Sequence, residues 1–422
     1  MMKDKKIKTI LLILLNMFLY FIYSKTFFFL LFSSITTYFL VKKTAQKKNI
    51  FFIFLAYFLL LCPFIFFKYI IPFYEFNLLI PLGISYYTLS LFSYITDVLK
   101  KRYPASNNFL DFLLFSTYFP CLIIGPIIRY NDFDSQIQKI SYNSQNTLNS
   151  IMRISIGLIK KLIIANKLNV VIFFLKANLD YQGVYVLLGT LLFSILLYCD
   201  FSGGIDIVLG ISKMFNIDLK ENFNHPFKSE TVKEFWQRWH ISLGNWLRDY
   251  VYIPLGGNRV NTFMTKVNVL VTFIISGLWH GINYLLWGII NGMLVMINLK
   301  TKYKILNCCL TFLLISLLWV FFIYQDPFVS LERLGTIFTK FNVWDLKNFF
   351  HLGLNILDYF VICVFFFSVL YYENKNELIL KYIKKKSIYY QIVIVLIIVL
   401  LILVFGRYGL DVNSNNFIYE SF

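Results

Sequence analysis

The chain has 422 residues, of which 58% are hydrophobic, 20% are aromatic and only 15% are charged. Soluble globular chains are nearer half apolar and a quarter charged. This composition excludes a disordered chain, a collagen-like chain and a small disulfide scaffold, and it argues against a soluble enzyme. The apolar residues form long blocks, such as Ile50–Phe67, Ile305–Ile323 and Ile388–Phe405. Each block can cross a hydrocarbon core of about 30 Å as a helix, so we expect an all-α polytopic membrane protein.

The net charge of +18 does not indicate a nucleic-acid partner, because the lysines flank the apolar blocks as the positive-inside rule predicts. The four basic clusters are Lys3–Lys8, Lys42–Lys48, Lys100–Arg102 and Lys381–Lys386. If these clusters are cytoplasmic, the N-terminus is cytoplasmic as well. The last span, Ile388–Phe405, then delivers the tail 406–422 to the outside. Block lengths predict about 9 to 12 spans in one domain covering residues 1–422.

The N-terminal apolar run lacks a small-residue cleavage site, so we expect two uncleaved helices that turn near Ser24. The six cysteines lie within or beside apolar blocks and form no CxxC pair, which is typical of small core residues. The sequence contains no HExxH, GxSxG or Walker A motif and no pair of well-spaced metal ligands.

The first candidate for chemistry is His280, in the apolar segment Ile274–Gly292. If the segment is one helix, its glycines form a stripe that lets another helix approach closely: Gly277, Gly281, Gly288 and Gly292. Beside the stripe lie His280, Tyr284, Trp287 and Asn291. An ionisable side chain within a span indicates a functional site. The alternative is a histidine that is simply hydrogen-bonded inside the bundle.

The second candidate is His240, in the segment Lys233–Tyr250. On one helix the large apolar residues share a face, and Arg238 lies opposite among charged residues. This pattern predicts an amphipathic helix in the membrane interface, ended by Pro254. The alternative is an aromatic anchor with no chemical role.

Other polar residues give weaker signals. His225 and His351 are predicted to be solvated or interfacial. Asp200 and Asp206 flank two glycines within an apolar stretch, which suggests either a broken, re-entrant helix lining a cavity or an interfacial turn. The polar segments 131–147 and 218–230 are predicted to be loops.

Several of these segments resemble a known family. The run Glu234–Leu243, continued by Trp246–Arg259, resembles the signature of the membrane-bound O-acyltransferases (MBOAT), as does Gly277–Gly281. Shorter similar stretches are Pro81–Thr88, Gly125–Arg129, Asp200–Gly203 and Glu221–Phe227. Gly204 departs from the family, which often has tyrosine there.

Two stretches resemble the bacterial branch that O-acetylates exported polysaccharides such as alginate or peptidoglycan. They are Pro254–Arg259 and the tail Asn416–Phe422, which differs from that branch at Glu420 and Ser421. The resemblance implies a helical bundle with re-entrant and interfacial helices around a central cavity, in the bacterial cytoplasmic membrane.

The resemblance also implies that His280 is the essential histidine and His240 the second one of the site. The residues expected to bind substrate are Trp236, Arg238, Trp239, Trp279, Tyr284, Trp287 and Asn291. Asn291 is also a candidate oxyanion donor. In the extracytoplasmic tail, the phenol of Tyr419 is a candidate acyl relay.

The expected reaction moves an acetyl group from cytoplasmic acetyl-CoA to a hydroxyl of an exported or cell-wall polysaccharide, without a bound cofactor. An extracytoplasmic transferase or hydrolase-like protein is the expected partner. Three alternatives stay open: D-alanyl transfer to teichoic acid from a carrier protein, lipid acyl transfer, and a transporter or flippase.

Overall fold

A computed structural model describes residues 2–46, 49–71, 80–137, 139–142, 144–297 and 300–408. Within these ranges nearly every residue is helical and no strand longer than a single bridge occurs. That isolated bridge pairs Phe223 with Trp239 in antiparallel fashion. The predicted all-α fold is therefore confirmed for the described residues.

In the described residues, the N-terminal part contains seven helices. They are α1 Met2–Tyr23, α2 Phe27–Gln46, α3 Ile50–Ile65, α4 Ile84–Leu99, α5 Phe109–Ser116, α6 Phe119–Ile123 and α7 Tyr130–Ile137. The turn between α1 and α2 falls at Ser24, as predicted. The loop prediction for 131–147 is wrong over α7, because Tyr130, Phe133 and Ile137 bury one face of a helix whose composition is otherwise polar.

The described part of the remaining chain contains thirteen further helices. They are α8 Ser144–Leu158, α9 Asn166–Ala177, α10 Val184–Met214, α11 Val232–Arg238, α12 Ile241–Leu247, α13 Thr262–His280, α14 Leu285–Met296, α15 Lys304–Leu318, α16 Val320–Tyr324, α17 Pro327–Thr339, α18 Leu346–Phe349, α19 Ile356–Lys384 and α20 Ile388–Phe405. Short π-helical segments follow α3, α8 and α12 at Phe66–Ile70, Ile159–Ala165 and Arg248–Tyr252. The predicted loop over 218–230 is largely confirmed, with one 3₁₀ turn at Pro226–Lys228.

Seven helical stretches in the described residues are long and apolar enough to cross a membrane. They are Lys6–Tyr23, Ile50–Ile70, Val184–Met214, Thr262–His280, Lys304–Tyr324, Ile356–Lys384 and Ile388–Phe405. The estimate of 9 to 12 spans counted apolar blocks that form shorter helices, such as α4 and α14. The number of spans and the side on which each terminus lies stay predictions.

The aspartate-flanked glycines do not break a helix. Asp200–Asp206 lies inside the continuous helix α10, so both the re-entrant helix and the interfacial turn are wrong. The glycine serves packing instead, because a Cβ on Gly203 would lie 2.8 Å from the carbonyl oxygen of Gly157 on α8. The carboxylates are neutralised by ion pairs: Asp200 with Lys161 at 2.5 Å, and Asp206 with Lys160 at 2.5 Å.

Among the described residues the chain forms two compact units. The first comprises Met1–Asn143, Ser212–Glu221 and Asn245–Pro254, and the second comprises Ser144–Ile211, Asn222–Gly244 and Leu255–Phe422. In the first unit, the indole of Trp246 donates to the carbonyl oxygen of Leu89 at 2.9 Å. The second unit holds both candidate histidines. The single-domain organisation stays a prediction.

Candidate functional site

His280 is the last residue of helix α13. The helix begins at a capping side chain, because Oδ1 of Asn261 accepts the amide of Met264 at 2.8 Å. It ends because Gly281 adopts φ 142°, a conformation that L side chains rarely take. A 3₁₀ turn at Ile282–Tyr284 then leads into α14. The prediction of one helix over 274–292 is therefore wrong, and His280 lies at a helix end beside a tight turn.

The glycines of this segment hold α13 against α14. A Cβ on Gly288 would lie 2.4 Å from the carbonyl oxygen of Phe273, and one on Gly277 would lie 2.5 Å from that of Tyr284. The predicted close backbone approach is present, but it joins two halves of the same segment. Because the two helices touch through bare backbone, the side chains beside the glycines are brought around His280.

The imidazole of His280 is enclosed by aromatic rings and is 6% exposed. Its ring centroid lies 4.7 Å from Trp279, 5.3 Å from Phe322, 5.7 Å from Trp287 and 6.0 Å from Tyr284. All four rings meet the imidazole edge to face. These four rings surround the imidazole with aromatic surface.

The chain breaks its helix immediately before His240. Helix α11 ends at Arg238, Trp239 is extended, and His240 takes the left-handed φ of 47°. The segment Asn222–Asn224 runs alongside and supplies backbone partners: Asn224 donates to Arg238, and Ile241 donates to Asn222. These long-range hydrogen bonds replace the helical ones. The prediction of one amphipathic helix over 233–250 is therefore wrong.

The break turns the side chain of His240 into the protein, where it is 3% exposed. Its ring lies 4.8 Å from Phe201 of α10 and 6.0 Å from Trp279. Burial lowers the pKa of His240 to about 3, so its imidazole is neutral at pH 7. The indole of Trp279 contacts both histidines, and all of these residues belong to the second unit.

Further tryptophans extend this cage. Nε1 of Trp236 donates to Oδ1 of Asn291 at 3.1 Å, and Nδ2 of Asn291 donates to the carbonyl oxygen of Trp287 at 2.9 Å. The ring of Trp319 lies 5.5 Å from Trp239 and 6.0 Å from Trp287. Five tryptophans thus meet near the two histidines: Trp236, Trp239, Trp279, Trp287 and Trp319.

Sequence reasoning missed Trp319, Phe322 and Phe201. Trp319 and Phe322 stand in the long apolar run 305–323, and Phe201 stands in the family-like stretch Asp200–Gly203. No local pattern marked these three rings as neighbours of a histidine. The sequence offered one signal for this group, namely that Trp319 is a tryptophan near the end of the apolar block 305–323. Their roles follow from the fold, which brings α10 and α16 to the histidines.

Some predicted site residues lie elsewhere. Arg238 pairs with Glu234 at 2.7 Å and donates to the carbonyl of Asn224, and its described contacts do not include the tryptophan cage. His351 is exposed and His225 is partly buried, next to Pro226. Tyr419 lies outside the described residues. Among the described residues, no group of three histidine, cysteine, aspartate or glutamate side chains could hold a metal ion.

The fold and the site define a helical membrane protein in which two buried histidines face an aromatic cage. Residues 7–346 match the sequence profile of MBOAT, the membrane-bound O-acyltransferase family. The chain belongs to this family.

Three relatives show the range of the similarity. The probable alginate O-acetylase AlgI of Pseudomonas aeruginosa is 36% identical over 310 residues, covering 70% of this chain and 59% of the relative. The peptidoglycan O-acetyltransferase of Helicobacter pylori is 34% identical over 286 residues, covering 58% and 54%. The teichoic acid D-alanyltransferase of Bacillus subtilis is 33% identical over 244 residues, covering 52% and 59%. The matched region thus spans between 54% and 59% of these curated relatives.

Proposed function

We propose that this protein is a transmembrane O-acyltransferase that moves an acetyl group from acetyl-CoA to a hydroxyl of an exported or cell-wall polysaccharide. The observation that carries the proposal is the pair of buried histidines on one indole, Trp279. Similarity to proteins named for O-acetylation of alginate and of peptidoglycan supports the acetyl group and the polysaccharide acceptor.

The proposed chemistry uses the imidazole of His280 as a general base. Its nitrogen takes the proton of the acceptor hydroxyl, which is the phenol of Tyr419 in the relay described below, while that oxygen attacks the thioester carbonyl carbon. The carbon–sulfur bond breaks, and the imidazolium returns the proton to the leaving thiolate, so the histidine ends neutral. His240 orients the acceptor hydroxyl. The aromatic cage keeps water from competing for the acyl group.

The basic clusters support a cytoplasmic N-terminus under the positive-inside rule, and we propose that the donor binds from the cytoplasmic side of the bacterial membrane. The acyl group then has to reach an extracytoplasmic polymer. We propose Tyr419 as its relay: the phenol accepts the acyl group and presents the ester to an extracytoplasmic transferase or hydrolase-like partner. An aryl ester is activated, so onward transfer to a sugar hydroxyl is favourable.

The test replaces His280, the proposed general base. Purified protein with His280→Gln should release CoA from acetyl-CoA about 10²- to 10⁴-fold more slowly than the parent, with little change in KM for the donor, because only proton transfer is lost. His351→Gln is the matched control, since His351 is exposed and outside the cage, and it should keep the parental rate. The mass of the C-terminal peptide in the same incubation reports acetylation of Tyr419.

Two outcomes would contradict the proposal. Undiminished CoA release by His280→Gln would remove His280 from the chemistry, and absence of CoA release by the parent would remove acetyl-CoA as donor.

The second candidate function, D-alanyl transfer, is favoured by the similarity to the teichoic acid D-alanyltransferase. Turnover of a D-alanyl carrier protein in place of acetyl-CoA would establish it, whereas a transporter would consume neither thioester.

A further inference from the structure

Asn222 is bonded to the two residues that follow His240. Its side chain is fully buried, with 0% exposed. Its backbone carbonyl accepts the amide of Ile241 at 3.0 Å, and its Oδ1 accepts the amide of Ser242 at 2.8 Å. Asn222 therefore holds the start of α12 in place directly after the left-handed histidine.

These bonds also fix which way the side-chain amide of Asn222 is oriented. A backbone N–H can only donate, so the atom that faces Ser242 must be the oxygen and the other atom must be the NH₂ group. That Nδ2 atom is buried and has no hydrogen-bond partner in the part of the chain that the structure describes. Buried polar groups are almost always hydrogen-bonded, so this donor is a candidate for contact with a bound molecule.

The surroundings of Asn222 connect it to the candidate site. The ring of Phe223, the next residue, lies 5.0 Å from Phe201 and 5.1 Å from Trp239. Phe201 is the residue whose ring contacts His240 at 4.8 Å. Asn222 thus accepts hydrogen bonds from the two residues that follow His240, through its backbone carbonyl and its Oδ1. Its neighbour Phe223 packs against Phe201, which contacts His240.

We propose that Nδ2 of Asn222 donates a hydrogen bond to the carbonyl oxygen of the acyl group during transfer. This inference rests on the proposed function, in which negative charge develops on that oxygen when the hydroxyl attacks the thioester. A prearranged neutral donor stabilises such charge without adding a buried charge of its own. Asn291, the earlier candidate, is less suited because its Oδ1 and Nδ2 are both already bonded.

The test uses Asn222→Asp, which keeps an oxygen for Ser242 and replaces the NH₂ donor by a carboxylate oxygen that carries negative charge and cannot donate. We expect kcat for CoA release to fall about 10²- to 10³-fold with little change in KM for acetyl-CoA. The matched control is Asn224→Asp, two residues along, where the side chain is exposed. It undergoes the same chemical change and should keep the parental kcat.

A spectroscopic readout separates this role from one in stability. Acetyl-CoA labelled with ¹³C at the carbonyl is bound to His280→Gln, which holds the donor without turnover. The carbonyl stretching band should lie at lower frequency than in the double variant that also carries Asn222→Asp. Where the aspartate prevents folding, Asn222→Ala replaces it in the same comparison.

Equal band positions, or an undiminished kcat in Asn222→Asp, would overturn the inference and leave the amide as a partner of buried water. These results differ from a failure of the proposed function. In that case the parent protein itself would neither bind nor turn over acetyl-CoA, and the variants at position 222 would behave in the same way.

Discussion

At the scale of single residues, the two histidines illustrate different limits of sequence reading. The sequence singles out His280 by its place in an apolar segment, and the structure encloses its imidazole in aromatic rings. Its catalytic role stays a prediction. The left-handed backbone of His240 was not predictable, because it depends on hydrogen bonds to Asn222 and Asn224, which are 16 or more positions earlier in the chain. Helical periodicity alone cannot reveal such partners.

The backbone of His240 gives a prediction about stability. A left-handed conformation costs a non-glycine residue roughly 1–2 kcal/mol. The free energy of unfolding of His240→Gly should therefore exceed that of His240→Ala by about 1 kcal/mol. His240→Gly should accordingly unfold at the higher temperature. The measurement is thermal unfolding of the two purified variants in the same detergent.

The control is a position where the alanine variant should be more stable than the glycine variant. Glu332 is exposed within helix α17, where alanine is favoured over glycine by about 1 kcal/mol. Glu332→Ala should thus be more stable than Glu332→Gly. If alanine were the more stable substitution at position 240 as well, the left-handed conformation would be in error.

At the scale of elements, apolar blocks predicted helices well and helix ends poorly. The block Ile388–Phe405 is α20 residue for residue, and Ile305–Ile323 nearly coincides with α15 and α16. The segment around His280 has the same apolar character, yet it forms a hairpin of α13 and α14. The difference arises because the two glycine-rich halves of this segment pack against each other. Helical periodicity describes one continuous helix and cannot show such a contact.

This hairpin can be tested at its closest contact. Gly288→Ala should lower the free energy of unfolding by about 1–3 kcal/mol, because the new Cβ would lie 2.4 Å from the carbonyl oxygen of Phe273 and force the helices apart. Gly335→Ala is the control, since no atom in the described structure lies within 4 Å of its Cβ position. It should leave stability unchanged or raise it slightly. Chemical denaturation of both variants measures the difference, and equal midpoints would contradict the hairpin packing.

At the scale of the whole molecule, buried ion pairs connect distant parts of the second unit. Lys160, in the π-helical segment after α8, is 2% exposed at its side chain and pairs with Asp206 on α10 and Glu373 on α19. The hydroxyl of Tyr198 donates to the same Glu373 at 2.9 Å. The sequence predicted that charges within apolar stretches need partners. Only the tertiary fold shows that Lys160 pairs with Glu373, which lies 213 positions later in the chain.

Removing the shared cation should destabilise this unit strongly. Lys160→Met removes the cation from Glu373 and one of the two cations from Asp206, which also pairs with Arg153 at 3.1 Å, so we expect a cost of about 3 kcal/mol. Lys220→Met removes one partner of the exposed pair with Asp132 and should cost less than about 1 kcal/mol. Denaturant unfolding compares the two variants. A similar small effect for both would show that Lys160 is not needed to hold α10 and α19.

The tryptophan cage has an optical consequence. Of the seven tryptophans in the chain, five meet around the two histidines, leaving only Trp246 and Trp344 apart from them. Indole emission depends on local polarity and on contact with quenching groups. The intrinsic fluorescence of the protein is therefore dominated by the candidate site, and binding of a thioester there can be followed in unlabelled protein, in real time and without turnover.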